Sequence, residues 1–206
     1  MSPHTLLSEL KTHQLVLEQT VDQTADVIDG IIDTIIRCFQ VGNKLLICGN
    51  GGSAADAQHV AGEFVNRYRY EHGALPAIAL TTDTSVLTCI GNDMAFENIF
   101  SRQVEALAKP GDILVGISTS GGSSNILNAL DAARLLGLTT IAFTGENGRA
   151  IMGSKSDICL VVPSSDTPRI QESHIFVWHY ICGIVEQKLF PESENKNSEL
   201  TKENKK

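Results

Sequence analysis

At 206 residues, with 16 Lys and Arg against 24 Asp and Glu for a net charge of −8, the chain suits one α/β domain with appendages. A chain of this size buries a core without disulfides or structural metal, and its acidic balance argues against a nucleic-acid surface as the main function. No charged and apolar leader opens it and no apolar run approaches a membrane span, so a soluble cytoplasmic protein is expected, with neither nucleic acid nor membrane as partner.

Between residues 6 and 39, Leu7, Leu10, Leu17, Val21, Ile28, Ile31, Ile35 and Cys38 recur on a three–four repeat, interrupted by Gln14 and Thr24. This predicts a long amphipathic helical segment over 5–40 that Gly30 bends or divides. The stripe exceeds what one sheet face needs, so part of it is expected to pack against another subunit; the plainer alternative is that it covers its own domain. Residues 45–48 (LLIC) read as a buried strand, followed by the loop Gly49-Asn50-Gly51-Gly52-Ser53 and a helix over 54–65. Strand signals recur at 76–80 (PAIAL), 112–117 (DILVGI), 139–143 (TTIAF) and 158–162 (ICLVV), separated by helical patterns at 85–90, 97–108, 124–136 and 149–153. Alternation of this kind, almost without hairpin signals, predicts a doubly wound five-stranded parallel sheet flanked by helices. A last helix is expected over 171–189, with Pro191 closing a single domain of residues 1–190. The tail 191–206 carries four acidic and four basic residues beyond its proline and reads as disordered. Cys38, Cys48, Cys89, Cys159 and Cys182 form no CxxC pair and mostly sit in apolar runs, which predicts buried, reduced thiols.

Strand, glycine loop and helix is the arrangement in which backbone N–H groups and a helix N-terminus face an anion. On the helix after the first loop, His59 and Glu63 stand four residues apart, about 40° round the axis. A second turn, Ser118-Thr119-Ser120-Gly121-Gly122-Ser123-Ser124, opens the helix after the 112–117 strand. Alone, it reads equally as an N-cap with a flexible turn. Two such turns at the C-terminal ends of strands in one parallel sheet point to a small phosphorylated molecule at the switch point. The first loop lacks the Gly-Lys-Ser/Thr ending of a nucleotide-triphosphate loop. Gly49-x-Gly51-x-x-Ala54 formally matches a dinucleotide fingerprint, but its acidic residue would have to be Asp83, which comes late; a dehydrogenase is the alternative that this motif leaves.

Four blocks, CGNGGSAADAQHVAGE (48–63), GND (91–93), GDILVGISTSGGSS (111–124) and RIQESHIFVWH (169–179), resemble in content and order the sugar isomerase (SIS) domain family, whose fold is flavodoxin-like. Within it, nearly the whole chain except the tail is similar to the bacterial phosphoheptose isomerases. The resemblance implies conversion of D-sedoheptulose 7-phosphate to D-glycero-D-manno-heptose 7-phosphate through an enediol(ate), the first step toward the heptose of lipopolysaccharide. It also implies a cytoplasmic homotetramer with sites at subunit boundaries and one zinc ion (Zn2+) per subunit. Carried over residue by residue, Asn50, Gly51, Gly52 and Ser53 line the substrate, Ser118, Thr119, Ser120 and Ser123 hold its phosphate, and Asn92 and Asp93 meet sugar hydroxyls. His59, Glu63, Gln171 and His179 match metal-binding positions, Glu63 and Gln171 also touch substrate, and Glu63 and His179 form the catalytic pair. A non-catalytic branch of the family binds the replication initiator DnaA and lacks the acid and the histidine at the positions of Glu63 and His179; both are present here. Gly122 replaces an expected asparagine, and Pro168 stands where some members have an acid.

Aldose–ketose isomerisation needs a base at carbon and a proton shuttle between two oxygens, work suited to a carboxylate and an imidazole. Without the resemblance, a His–Glu pair at this spacing is more often a solvated surface pair, and His179 beside Trp178 and Tyr180 more often a satisfied core or interface residue. Glu172, seven residues before His179, is nearer to one line with it than Gln171 is, so the choice of Gln171 rests on the resemblance. His174 reads as a supporting or structural residue, and His4, His13 and His72 as surface residues. Arg67 and Arg69 read either as charge for the phosphate or as an exposed helix end.

Overall fold

The amphipathic stripe at the start of the chain forms one continuous helix, α1 (Leu6–Gln40), capped by the Thr5 hydroxyl, which accepts from the Ser8 N–H. Gly30 does not divide it. The burial of Ile28, Ile31, Ile32, Ile35 and Ile36 around that position holds the helix together against glycine's backbone entropy. Thr24 does not interrupt the stripe either: it is buried, and its hydroxyl donates to the Thr20 carbonyl at 2.6 Å. The computed structural model describes residues 5–191, so the expectations for His4 and for the tail beyond Pro191 lie outside the described residues.

After α1 the chain runs through β1 (Leu45–Gly49), α2 (Gly52–Val65), β2 (Ala77–Ala79), α3 (Thr84–Asp93), α4 (Ser101–Leu107), β3 (Ile113–Ser118), α5 (Ser124–Leu135), β4 (Thr139–Gly145), α6 (Arg149–Lys155), β5 (Ile158–Val162) and α7 (Thr167–Leu189). The helix expected over 97–108 is instead a 3-10 turn, Phe96–Asn98, followed by the short α4. All strand pairs are parallel, in the order β2-β1-β3-β4-β5. This is the doubly wound, flavodoxin-like sheet expected from the alternating pattern.

Side chains alternate across the sheet and build two apolar layers. Leu45, Ile47, Val115, Phe143 and Leu160 face α1, α2 and α7, whereas Leu46, Cys48, Leu114 and Ala142 face α4, α5 and Met152 of α6. The edge strand β2 is only three residues long and leaves Ile78 exposed, so the five-residue PAIAL run pairs over less than its length. Cys38, Cys48 and Cys182 are buried as expected and Cys159 is partly so, but Cys89 is exposed on α3. Among the described residues no helix is long and apolar enough to cross a membrane.

Candidate active site

The strand order reverses between β1 and β3, which pair in register from Leu45 opposite Ile113 to Gly49 opposite Ile117. The turns leaving their C-terminal ends therefore emerge side by side, in the position where ligands of such sheets bind. Asn50 and Asn125 bridge them with a reciprocal amide pair, each donating to the other at 2.9 Å. Helices α1 and α3 start with side-chain caps from Thr5 and Asp83, the latter accepting from the Val86 N–H. Asp83 is thereby committed to a helix start, and the dinucleotide reading loses its acidic residue. By contrast α2, preceded by Gly51, and α5, preceded by Ser123, start without a side-chain cap. The first-turn N–H groups of Gly52, Ser53, Ser124 and Asn125 have no intrahelical acceptor, so the two positive helix ends offer donors to an anion.

The serines of the second turn shape it from within. Ser118 is buried and its hydroxyl pairs with that of Ser123 at 3.1 Å while accepting from the Gly121 N–H. Ser120 is exposed, and its hydroxyl accepts from the Gly122 N–H at 3.3 Å, a backbone contact available without the asparagine expected there. Gly121, at φ +71°, passes so near Gly148 that an added Cβ would sit 2.2 Å from its Cα. Thr119 ties the turn to β4 by accepting from the Gly145 N–H. At the first loop, a Cβ on Gly52 would lie 2.5 Å from the Gln171 amide nitrogen, so α7 closes directly over the glycine loop. Pro168 sits in the first turn of α7, where its missing N–H costs nothing.

Two turns along α2, the ring of His59 meets two partners. Its Nε2 lies 2.9 Å from His179 Nε2 and 3.2 Å from Glu63 Oε1, and donor atoms of all three residues fall within 4.8 Å of one another. Ligands on one tetrahedral ion with bonds of ~2.0–2.1 Å stand roughly 3.3 Å apart, so this set fits a metal ion with little movement. Two imidazoles and a carboxylate suit a first-row divalent cation. The site is accessible, with the His59 and Glu63 side chains 46% and 22% exposed. Burial and the neighbouring His59 pull the His179 pKa down, with Glu63 opposing, which favours the neutral ring that can bind a metal or accept a proton.

Not every expected residue joins this group. Asn92 and Asp93 are exposed at the end of α3, where Asn92 donates to Asp93 at 2.7 Å and no hydrogen bond ties either to the loops. Glu172 is engaged elsewhere, pairing with Arg169 and with His13 at 2.8 Å, so His13 is a half-buried bridge between α1 and α7 and not a free surface residue. His174 is fully buried, 3.3 Å from the Thr144 carbonyl oxygen. His72 is not a surface residue: its ring is 1% exposed, stacked on Phe190 and 3.2 Å from Glu186. Arg67 is exposed beyond the end of α2, and the Arg69 guanidinium lies 5.2 Å over the Tyr68 ring. Sequence reasoning passed over Tyr68, which stacks on His179 at 5.6 Å, and Asn125, which directly follows the second turn and pairs with Asn50 within the first.

Fold and site together define a doubly wound sheet protein with anion-ready turns at its switch point and a metal-competent histidine–glutamate cluster beside them. The family model of the SIS domain matches residues 10–145. The phosphoheptose isomerase of Trichlorobacter lovleyi is 52% identical over 185 residues, covering 90% of this chain and 94% of its own length. Its counterpart from Roseiflexus sp. is 51% identical over 187 residues, covering 91% and 94%. Among solved structures, a phosphoheptose isomerase from Neisseria gonorrhoeae superposes with a TM-score of 0.83 at 40% identity, covering 88% of this chain and 97% of its own. The chain belongs to the SIS domain family.

Proposed function

We propose that the protein is a phosphoheptose isomerase, converting D-sedoheptulose 7-phosphate to D-glycero-D-manno-heptose 7-phosphate through an enediol(ate). The observation that carries this reading is the meeting of His179 with His59, 120 residues apart in sequence, and with Glu63 beside the two anion-ready turns. The phosphate rests on the free helix-start N–H groups and on Ser118, Thr119, Ser120 and Ser123, with Asn50, Gly51, Gly52 and Ser53 along the chain. Gln171, Asn92 and Asp93 take sugar hydroxyls. Roughly 10 Å of helix separates Gly52 from His59 at 1.5 Å per residue, room for a sugar chain between phosphate and reacting carbons.

Glu63 takes a proton from C1 of the ketose as the C1–C2 double bond forms and charge moves onto the C2 oxygen. His179 relays a proton from the C1 oxygen to the C2 oxygen. Return of the carbon proton to C2 then leaves the aldehyde at C1. His59, Glu63 and His179, with Gln171 as a fourth and less usual donor, would hold one zinc ion per subunit, which when bound polarises the carbonyl and stabilises the enediolate. On the same reading the enzyme is a cytoplasmic homotetramer at the entry to lipopolysaccharide heptose synthesis; the exposed apolar residues Val21 of α1 and Phe176 and Tyr180 of α7 offer a surface for subunits to pack on. Incubation with sedoheptulose 7-phosphate, followed by proton NMR with and without added zinc, should show the aldose growing in. Inactivity under both conditions would overturn the assignment.

A further inference from the structure

One face of α7 carries His179, Gly183 and Glu186, at i, i+4 and i+7, so the three lie within about 40° of one line. All three touch the same short segment beyond α2. Glu186 is 2% exposed, and its Oε1 accepts the backbone N–H groups of Tyr68, Arg69 and Tyr70 at 2.9, 3.0 and 3.1 Å. Its Oε2 accepts the Arg69 N–H at 2.9 Å, and His72 closes the group at 3.2 Å. Three consecutive amides turned onto one carboxylate fix the backbone of that segment. Gly183 provides the space next to it: an added Cβ would stand 3.2 Å from Tyr68 Cε1, so the ring lies directly against the helix. The same ring stacks on the His179 imidazole, with 5.6 Å between centroids and 21° between planes.

We infer that Glu186 and Gly183 are positioning residues of the active site, acting through Tyr68 to fix the orientation in which the His179 ring faces His59 and Glu63. This rests on the reading of His179 as a participant in the isomerisation. An imidazole that serves as both proton shuttle and donor must hold its direction closely, and a flat aromatic neighbour limits its rotation without occupying either nitrogen. The chain spends a buried carboxylate, a helix glycine and a tyrosine on placing that neighbour.

The test combines steady-state kinetics on sedoheptulose 7-phosphate with the proton–carbon NMR signal of the His179 ring in the full-length protein. That signal carries the ring current of Tyr68. Gly183→Ala leaves the backbone tether intact and displaces only the ring; it should lower kcat about tenfold with KM changed less than about twofold, and move the His179 signal. Tyr68→Ala should do the same, and Tyr68→Phe, which keeps the ring, should recover most of the loss. Glu186→Ala should act through Tyr68, so that Glu186→Ala with Tyr68→Ala is no worse in kcat than Tyr68→Ala alone. If Glu186→Ala does not fold, Gly183→Ala and Tyr68→Ala decide the matter. Wild-type kcat in those two variants, alongside an inactive His179→Asn, would overturn the inference whatever the His179 signal does, while leaving the isomerase reading in place. If the wild type itself does not turn over, that reading fails, and the NMR signal alone judges whether Gly183 and Glu186 hold the ring.

Discussion

Along α7 lie two histidine–glutamate groups of opposite character. In one, Glu63 is partly exposed, its direct partner is the half-exposed His59 ring, and His179 stands across from both. In the other, Glu186 is sealed from solvent, takes hydrogen bonds from three successive backbone amides, and meets a His72 ring that is itself buried against Phe190. A carboxylate whose lone pairs are filled by fixed donors has nothing left for a substrate. One with free lone pairs, facing a second imidazole, can take a proton or share a cation. The pairing of residue types is the same in both groups; accessibility and the number of fixed donors separate reactive from structural.

The strongest way to break that contrast is Glu63→Gln. The amide keeps the size and the hydrogen-bonding reach of the carboxylate but cannot serve as a base, so kcat should fall by about 10²–10⁴. Substrate affinity by calorimetry and the melting temperature should stay near wild type, because the amide leaves the packing around this partly exposed side chain unchanged. Turnover close to wild type would remove Glu63 as the base.

His174 extends the contrast to a histidine with no carboxylate at all. Full burial pushes its pKa down from 6.5 to about 4, only partly opposed by the Thr144 carbonyl. Between those two values the unfolded chain carries the proton and the folded chain does not. Stability is therefore complete above pH 6.5 and is lost as pH falls toward 4, by roughly 3 kcal/mol at about 1.4 kcal/mol per pKa unit. Denaturant unfolding at pH 7 and pH 4.5 should show a steeper loss in the wild type than in His174→Gln, where the other titrating groups are shared and cancel. Equal slopes would mean that the ring is protonated in the native state.

How much of this could be read from residues alone depends on sequence distance. The strands were legible because a buried parallel strand is a short apolar run whatever surrounds it, and only β2, at the sheet edge, pairs over less than its run. His59 and Glu63 were legible as a pair because helix geometry brings residues four apart together. His179 reached the site through family resemblance, since nothing local marks a histidine between Trp178 and Tyr180 as reactive. Glu186 and His72 were invisible as partners: each looks solvent-facing until the segment beyond α2 folds back on α7. The helix expected over 97–108 breaks after the 3-10 turn at Phe96–Asn98, and short-range periodicity carries no signal for that.

Gly30 marks the opposite error, a local signal overruled by packing, and it yields the smallest effect. It lies inside a continuous helix, its carbonyl accepts the Thr34 hydroxyl at 2.7 Å, and a Cβ built on it meets nothing within 4 Å. Alanine there loses less backbone entropy on folding than glycine, so Gly30→Ala should stabilise the chain by about 0.5–1 kcal/mol. For a protein of this length that corresponds to a melting temperature about 1–4 °C higher. Gly30 belongs to neither histidine–glutamate group, so kcat should not move, and the variant separates stability effects from effects on the reactive group. A lower melting temperature would say that the methyl group meets a neighbour that one chain does not contain. The natural candidate for that neighbour is a second copy packed on the outer face of α1.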